Sequence, residues 1–350
     1  MQVFISFKIC YLNFLKKNPS RIKFFFNYLF IYLRNCQTRE WVVKSSWIGK
    51  SASVIGSNFI KIHLYFIMGV MKEDSSDILY PFESFNVPER FLKKAEDELH
   101  ETLDKRKPAM QELRELIRDN GLTCRTSDEF LLQFLRARKY NIPKSMSLLK
   151  KYVYFKAKNP NLFTGMNYDA LIKLIKSKTM NFLPKRCADG CAILVVHLDN
   201  WNPSEVPIQD LCRAIALFLY HSICDPLTQI NGYKVILDVK SSPWKHLRFC
   251  TPQNIYLLYN GTQECFPGRF KGIHIINMSL TFKAAWTLIH PFLSEKLKKR
   301  FIFHQNMEEL TDYFPVCLLP TDFGGQLQDY DCTPWLKNAL QEEHLEKLAN

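Results

Sequence analysis

The chain has 350 residues, 47% of them hydrophobic, so it can bury a substantial core and is not a disordered polypeptide. Its formal net charge is +13, which raises nucleic acid or a membrane surface as partners. The 11 cysteines form no CxxC or Cys/His metal pattern: Cys187 and Cys191 lie close together, but no second pair follows at zinc-site spacing. Their odd number and wide scatter point to reduced thiols in a cytosolic protein rather than a secreted disulfide framework.

The charge is unevenly placed. Residues 1–70 hold ten Lys/Arg against one acid, Glu40, an excess of nine that leaves only +4 for the rest. That segment is dense in Phe, Ile, Tyr, Asn and Lys without a sustained helical or strand period. Its longest apolar run, Phe24 to Leu33, includes Asn27 and falls well short of the roughly 20 residues a spanning helix needs. Lys8 interrupts what would be a signal-peptide core. The expectation is a disordered segment or a gene-model extension, with synthesis starting at Met68 or Met71; the competing reading is a cationic membrane-binding leader.

From Pro88 to Asn120, Phe91, Ala95, Leu99, Leu103, Leu113 and Ile117 form apolar faces at helical spacing, and Pro108 is expected to divide the stretch into two helices. Thr126-Ser127-Asp128-Glu129 reads as a capping box before FLLQFLRARKY, whose Phe130, Leu131, Phe134 and Leu135 share one face. Asn141-Ile142-Pro143 ends that helix and starts another, to about Lys158. After Asn159-Pro160 short β-rich runs alternate with helices. The expected strands are Ala192 to Leu198, Tyr233 to Val239, Gly272 to Asn277 and Phe301 to Phe303, with helices near 207–224, 251–264 and 279–290. This grammar predicts an α/β protein, a small all-helical N-terminal unit (71–160) before a mostly parallel or mixed sheet flanked by helices (161–328), then a helical tail (329–350).

Enzyme signatures are absent: there is no GxGxxG after a strand, no GxxxxGK[ST], no GxSxG and no HExxH, and no catalytic residue or cofactor is expected. Asp199 and Asp238 at strand ends read first as turn or cap residues, and His197, His274 and His304 as structural hydrogen-bonding groups. Two helices are too apolar for one-sided burial. IQDLCRAIALFLYHSIC and SLTFKAAWTLIHPFL suggest an apolar cavity or a membrane-facing surface, unless a thick core between domains absorbs them.

FPGRFKGIHIIN, then HPFLSEKLKKRFIFH, then LPTDFGG resemble the lipid-binding half of the CRAL-TRIO (Sec14-like) family; EFLLQFLRARKYNIPKSMSLLKKY resembles its helical N-terminal unit and GYKVILDVKSSPW its central strand. The resemblance covers about residues 90–328 and is strongest to the branch of retinaldehyde-binding and α-tocopherol transfer proteins. It implies a non-enzymatic carrier whose sheet floors an apolar pocket closed by a gate helix, here about Ser279 to His290, hinged near Pro291, with Leu280, Ala285, Trp286 and Ile289 facing inward. The implied wall comprises Ile215, Phe218, Leu219, Tyr233, Val235, Leu237, Leu258, Ile273 and Ile275, with Ser222 as a polar contact. The resemblance also implies a phosphoinositide cleft at Arg269, Lys271, Lys296 and Arg300. Lys296 and Arg300 are spaced to share a helical face, and Arg269 and Lys271 to share one side of an extended segment.

The expected function is intracellular binding and transfer of a small hydrophobic ligand, a retinoid, tocopherol or other lipid-like molecule, with phosphoinositide at the basic cleft triggering release or docking. The expected protein is a cytoplasmic, peripherally membrane-associated monomer. The alternative is a phosphoinositide-dependent scaffold that is recruited to membranes without transferring ligand. A nucleic-acid partner is not expected, because the excess charge lies mainly in the first 70 residues and no RRM, KH or zinc-finger pattern is present.

Overall fold

The computed structural model describes residues 87–240, 246 and 248–337, all within one unit that begins at Met68. The expectations for residues 1–70 and for the tail beyond 337 therefore lie outside the described residues.

The N-terminal helices follow from short apolar stripes. Helix α1 (Glu89–Leu99) buries Phe91, Ala95 and Leu99, one residue per turn. It stops at His100, which takes a left-handed conformation (φ 63°) while its N–H and that of Glu101 bond back to the carbonyls of Glu96 and Ala95. Helix α2 (Leu103–Asp119) starts from Thr102, whose side chain accepts the Lys105 N–H at 3.3 Å. The expected division at Pro108 is therefore corrected: Pro108 lies inside α2, and the break falls at His100 to Thr102, where a left-handed residue and a capping hydroxyl coincide. Helix α3 (Asp128–Ala137) begins after Ser127 as expected, but no side-chain cap bond forms there, and Asp128 pairs with Arg114 instead. Every residue from Phe130 to Ala137 is buried, so α3 is enclosed on all sides. Asn141 caps α4 (Ile142–Lys158) by accepting the Lys144 N–H at 3.0 Å.

Residues Tyr168–Lys176 form α5, which leads into the sheet. Its strands are β1 (Met180–Phe182), β2 (Ala192–His197), β3 (Tyr233–Asp238), β4 (Phe270–Ile276) and β5 (Phe301–Phe303), arranged side by side in chain order. The pair β1/β2 is antiparallel and the other three pairs are parallel, as the alternating grammar predicts. Helix α6 (Ile208–Ser222) and the short α7 (Pro226–Asn231) connect β2 to β3. Helix α8 (Pro252–Tyr259) continues into a π-helical turn, Asn260–Glu264, before β4, and α9 (Leu280–Ile289) and α10 (Glu295–Lys298) lie between β4 and β5.

The faces of the sheet are covered unequally. On one side Ile193, Val195, Ile236 and Ile276 are at most 1% exposed and pack on Leu310, Phe314, Leu319 and Phe323 from the C-terminal segment. On the other, Ala192, Leu194, Tyr233 and Val235 pack on α5, α6, Trp335 and Leu336. Beyond them the same side opens: Val196, Leu237, Ile273 and Phe301 are half-buried and Phe303 is exposed.

The helical unit is fastened to the sheet domain through Arg136, which forms a buried ion pair with Glu101 inside the unit and a hydrogen bond across to Gln229. Arg136 on α3 donates Nε and Nη2 to the two carboxylate oxygens of Glu101 at 2.7 and 2.6 Å, and Nη1 to Gln229 of α7 at 2.6 Å. The side chains are only 4% and 9% exposed, so neither charge can be rehydrated without unfolding. Arg136→Ala is expected to cost about 3–5 kcal/mol by leaving the Glu101 carboxylate buried without a cation. Urea denaturation of the full chain checks this; a loss below about 1 kcal/mol would mean that water reaches Glu101 in the variant.

Candidate functional site

The half-buried side of the sheet is an apolar floor. Register aligns Val196 with Leu237, Leu237 with Ile275 and Phe303, and Val235 with Ile273 and Phe301, so these side chains form rows on one face. Helix α6 supplies a wall, with Leu211, Ile215 and Leu217 partly buried against the core under that face. Helix α9 reaches β5 through Trp286, whose ring lies 4.6 Å from Phe301 and 5.1 Å from Phe303. None of the described side chains of α8 or α9 is buried, although both helices are rich in Ile, Leu, Tyr and Phe. Helix α9 thus rests on the apolar floor without closing a tight core, and α8 is likewise without a buried side chain among those described, unlike α6, where Ala214, Phe218, Leu219 and Ser222 are fully packed.

The residues expected to line a pocket separate into three groups. Ile215, Leu237, Ile273, Trp286 and Ile289 are half-buried around the open region. Phe218, Leu219, Ser222, Tyr233, Val235 and Ile275 are buried, and most of them belong to the packed core beneath. Ser222 is a polar pair with Tyr233: their hydroxyls lie 2.7 Å apart, and Ser222 also donates to the Leu219 carbonyl at 3.0 Å. Both are fully buried, and burial, only partly offset by the Ser222 bond, pushes the Tyr233 phenol far up. The expected polar ligand contact is corrected accordingly, because this hydroxyl is already satisfied inside the core. Leu258 and Leu280 are 53% and 83% exposed. At about 100° per residue, Leu280 lies on the far side of α9 from Phe282, Trp286 and Ile289, so its assignment to an inner face is also corrected. The side chain of Ala285 lies outside the described residues. A separate cleft of about 460 Å³ is lined by Lys107, Pro108, Met110, Gln111, Arg114 and Asp128, all from α2 and α3, and shares no residue with the apolar floor.

The polar candidates are held by the ends of the strands. His197 Nε2 is 3.1 Å from Tyr330 Oη, and His274 Nδ1 is 3.0 Å from His304 Nε2. Burial, then the neighbouring His304 and Lys234 charges, pushes His274 down to about 3, which keeps it neutral near pH 7. Asp238 accepts from the Lys240 N–H and from Asn277 Nδ2, both at 3.0 Å, a turn-capping role. No group of three or more His, Cys, Asp or Glu among the described residues could hold a metal ion.

The basic residues converge beside the start of β4 and the approach to β5. Arg269 precedes β4, its carbonyl accepting the Tyr233 N–H at 2.8 Å, and its Nη2 bonds to the Ile230 carbonyl. Gly232 makes this possible: it sits at φ 84°, and a Cβ there would lie 2.1 Å from the Arg269 carbonyl oxygen. The Arg300 carbonyl accepts the Ile273 N–H at 2.8 Å, which fixes it beside β4, while buried Leu297 anchors α10. Helix α10 is only four residues long, so Arg300 leaves it. What places Arg300 near Lys296 is the β4 contact rather than a shared helical face.

These charges bear on one another electrostatically. Burial first, then the charges of Arg300, Arg138, Lys139 and Arg269, hold the Lys296 ammonium below its ordinary pKa. Arg269 is lowered by burial and by Arg300, with Glu98 opposing. The structure therefore groups Lys296, Arg300 and Arg269 with two residues the sequence reading did not select, Arg138 and Lys139. Lys139 and Tyr140 both take left-handed conformations (φ 53° and 56°) at the end of α3. The RARK run carried the charge, but only this turn brings it to the others. Lys271 points to a different partner, the Glu98 carboxylate of α1, at 3.2 Å.

Similar proteins frame this geometry. A family model for the CRAL/TRIO domain matches residues 176–325, and one for the CRAL/TRIO N-terminal domain matches residues 95–151. Clavesin-2 of Rattus norvegicus is 35% identical over 260 residues, 72% of this chain and 79% of that protein. Clavesin-1 of Xenopus laevis is 33% identical over 258 residues, 72% of this chain and 78% of that protein. The solved structure of Sfh5 is 13% identical with a TM-score of 0.43, over 85% of this chain and 99% of that one, a similarity too distant to bear on the site. With both of its domains matched in order and relatives of this identity, the chain belongs to the CRAL/TRIO family of lipid-binding proteins.

Proposed function

We propose that this protein carries a small hydrophobic molecule, a retinoid, tocopherol or other lipid-like compound, on the floor formed by Val196, Leu237, Ile273 and Phe301. In this reading α8 and α9 are the cover, and α9, resting on β5 through Trp286, is the gate. The observation that carries it is the half-exposure of that floor beside α9, which rests on β5 through Trp286 with no buried side chain among those described, while the opposite face is fully sealed. Elements with few buried contacts open at low free-energy cost.

The driving force is hydrophobic. A ligand hiding on the order of 400 Å² of apolar surface would gain about 10 kcal/mol before entropic costs. Release from such a site needs a bias, and the basic cluster of Arg269, Lys296 and Arg300, with Arg138 and Lys139, supplies one if a phosphoinositide head group at a membrane surface binds there. At about 1 kcal/mol per basic residue near an anionic surface, four of them give about 4 kcal/mol. That moves an open-to-closed ratio of about 1:99 to about 9:1. Among the described residues no helix is long and apolar enough to cross a membrane, so peripheral docking through this charge is the mode proposed for them.

Two measurements test this. Organic extraction of protein from its native tissue, followed by mass spectrometry, is expected to release a hydrophobic small molecule; Ile273→Trp, which fills the floor, should lose that molecule yet keep binding to phosphoinositide vesicles. An empty wild-type protein that still binds those vesicles would favour the scaffold alternative. The paired change Lys296→Ala with Arg300→Ala is expected to weaken vesicle binding about 30-fold and to leave ligand affinity unchanged. Equal loss of both would show damage to the fold instead of removal of a head-group site.

A further inference from the structure

One carboxylate stands at the edge of the basic cluster, on Lys271 and near Arg269. Glu98 lies on α1 between Ala95 and Leu99, which are buried against Ile230 of α7. The Ile230 carbonyl is also the acceptor for Arg269 Nη2, so one residue fixes both α1 and the arginine. From that position Glu98 Oε2 reaches Lys271 Nζ at 3.2 Å and lies within the fields of Arg269 and Lys94. Although burial works against ionisation, Lys271, Lys94 and Arg269 together hold the Glu98 carboxyl below the usual carboxylate range. Two other acids near the cluster are committed elsewhere: Glu264 to Lys151 at 2.5 Å and to the Tyr259 hydroxyl at 3.3 Å, and Glu295 to Lys298 at 2.7 Å.

We infer that Glu98 is a built-in competitor for the anion site: its carboxylate occupies Lys271 in the unbound protein and must be exchanged for a phosphate group when an anion binds. The inference rests on the reading of the basic cluster as a phosphate site. The exchange is favourable for a phosphomonoester, which carries about −1.5 to −2 charges near neutral pH where Glu98 carries one. It also requires no unfolding, because the Glu98 and Lys271 side chains are 40% and 34% exposed and can part by rotation while Ala95 and Leu99 keep α1 in place. Glu98 thereby weakens all phosphate binding that uses Lys271 and keeps the cluster partly neutralised until a multiply charged group arrives.

The test compares the full chain with Glu98→Gln, each alone and combined with Lys271→Ala. Two probes are titrated: neutral vesicles doped with phosphatidylinositol bisphosphate, and soluble inositol hexakisphosphate. Glu98→Gln is expected to bind about five-fold more tightly, with most of that gain absent in the Lys271→Ala background. A gain with both probes supports competition for phosphate as such, and a gain with vesicles alone supports competition for a lipid head group held at a surface. Wild-type binding that Glu98→Gln does not strengthen, or a gain that persists in full without Lys271, overturns the inference and leaves the phosphate site standing. Binding of neither probe by any of the proteins overturns the phosphate site and the inference with it.

Discussion

A parallel sheet must be covered on both faces, because its strands carry apolar side chains on each and its crossovers run over both. In this protein the two coverings differ in kind. The C-terminal segment seals one face with Leu310, Phe314, Leu319 and Phe323 packed against strand residues with almost no exposure. The other face is sealed at its β1 to β3 end, where α5 and α6 pack, and toward β5 it meets α9 through the Trp286 ring. The sealed face supplies the stability that allows the other to remain loosely packed. Native interiors are otherwise close-packed, and a covering that forgoes such packing gives up contacts that an ordinary core would make.

The buried contacts between the helical unit and the sheet hold this arrangement in register. Arg136 ties α3 to the Glu101 turn and to Gln229 of α7, and α7 in turn leads through Gly232 into β3. Gly232 lets the chain pass against the Arg269 carbonyl, which sets where β4 begins and where the Arg269 guanidinium lies. The basic cluster is therefore assembled from the end of α3, the start of β4 and the approach to β5, three places far apart in sequence that are brought together by packing.

That dependence explains what the sequence could and could not disclose. The four principal strands were legible because each is a short run of β-branched and aromatic residues between turn signals, and Phe301–Phe303 has the predicted bounds. The three-residue β1 and the six-residue α7 were too short for a period to register. Helix α5, in contrast, carries Ala170, Leu171, Leu174 and Ile175 at helical spacing behind an Asn167 cap and was legible though not among the expected helices. Pro108 looked like a helix breaker, but the decisive signals were a left-handed His100 and the Thr102 cap, which depend on local conformation rather than composition. In the site, alternation placed Leu237 and Ile273 on the apolar face, yet it could not separate floor from core, since burial depends on what packs above. The Ser222 hydroxyl looked free until Tyr233 was found beside it. Arg138 and Lys139 were hidden because only the left-handed turn at Lys139 and Tyr140 brings their charges to the others.

The proposed gate and the proposed anion site share one short stretch of chain, and this gives the mechanism a physical route. From Ile289 at the end of α9 the backbone makes a 3-10 turn over His290–Phe292, passes through α10, and enters β5 at Phe301. Lys296 and Arg300 lie in this connector, and Trp286 rests on the rings of Phe301 and Phe303 at its far end. Lys296 faces the like charges of Arg300, Arg138, Lys139 and Arg269 across this connector. A phosphate among them would replace repulsion by attraction and draw the connector inward. Since β5 is only three residues long and, among the described residues, paired with β4 alone, Trp286 stands on a short edge strand.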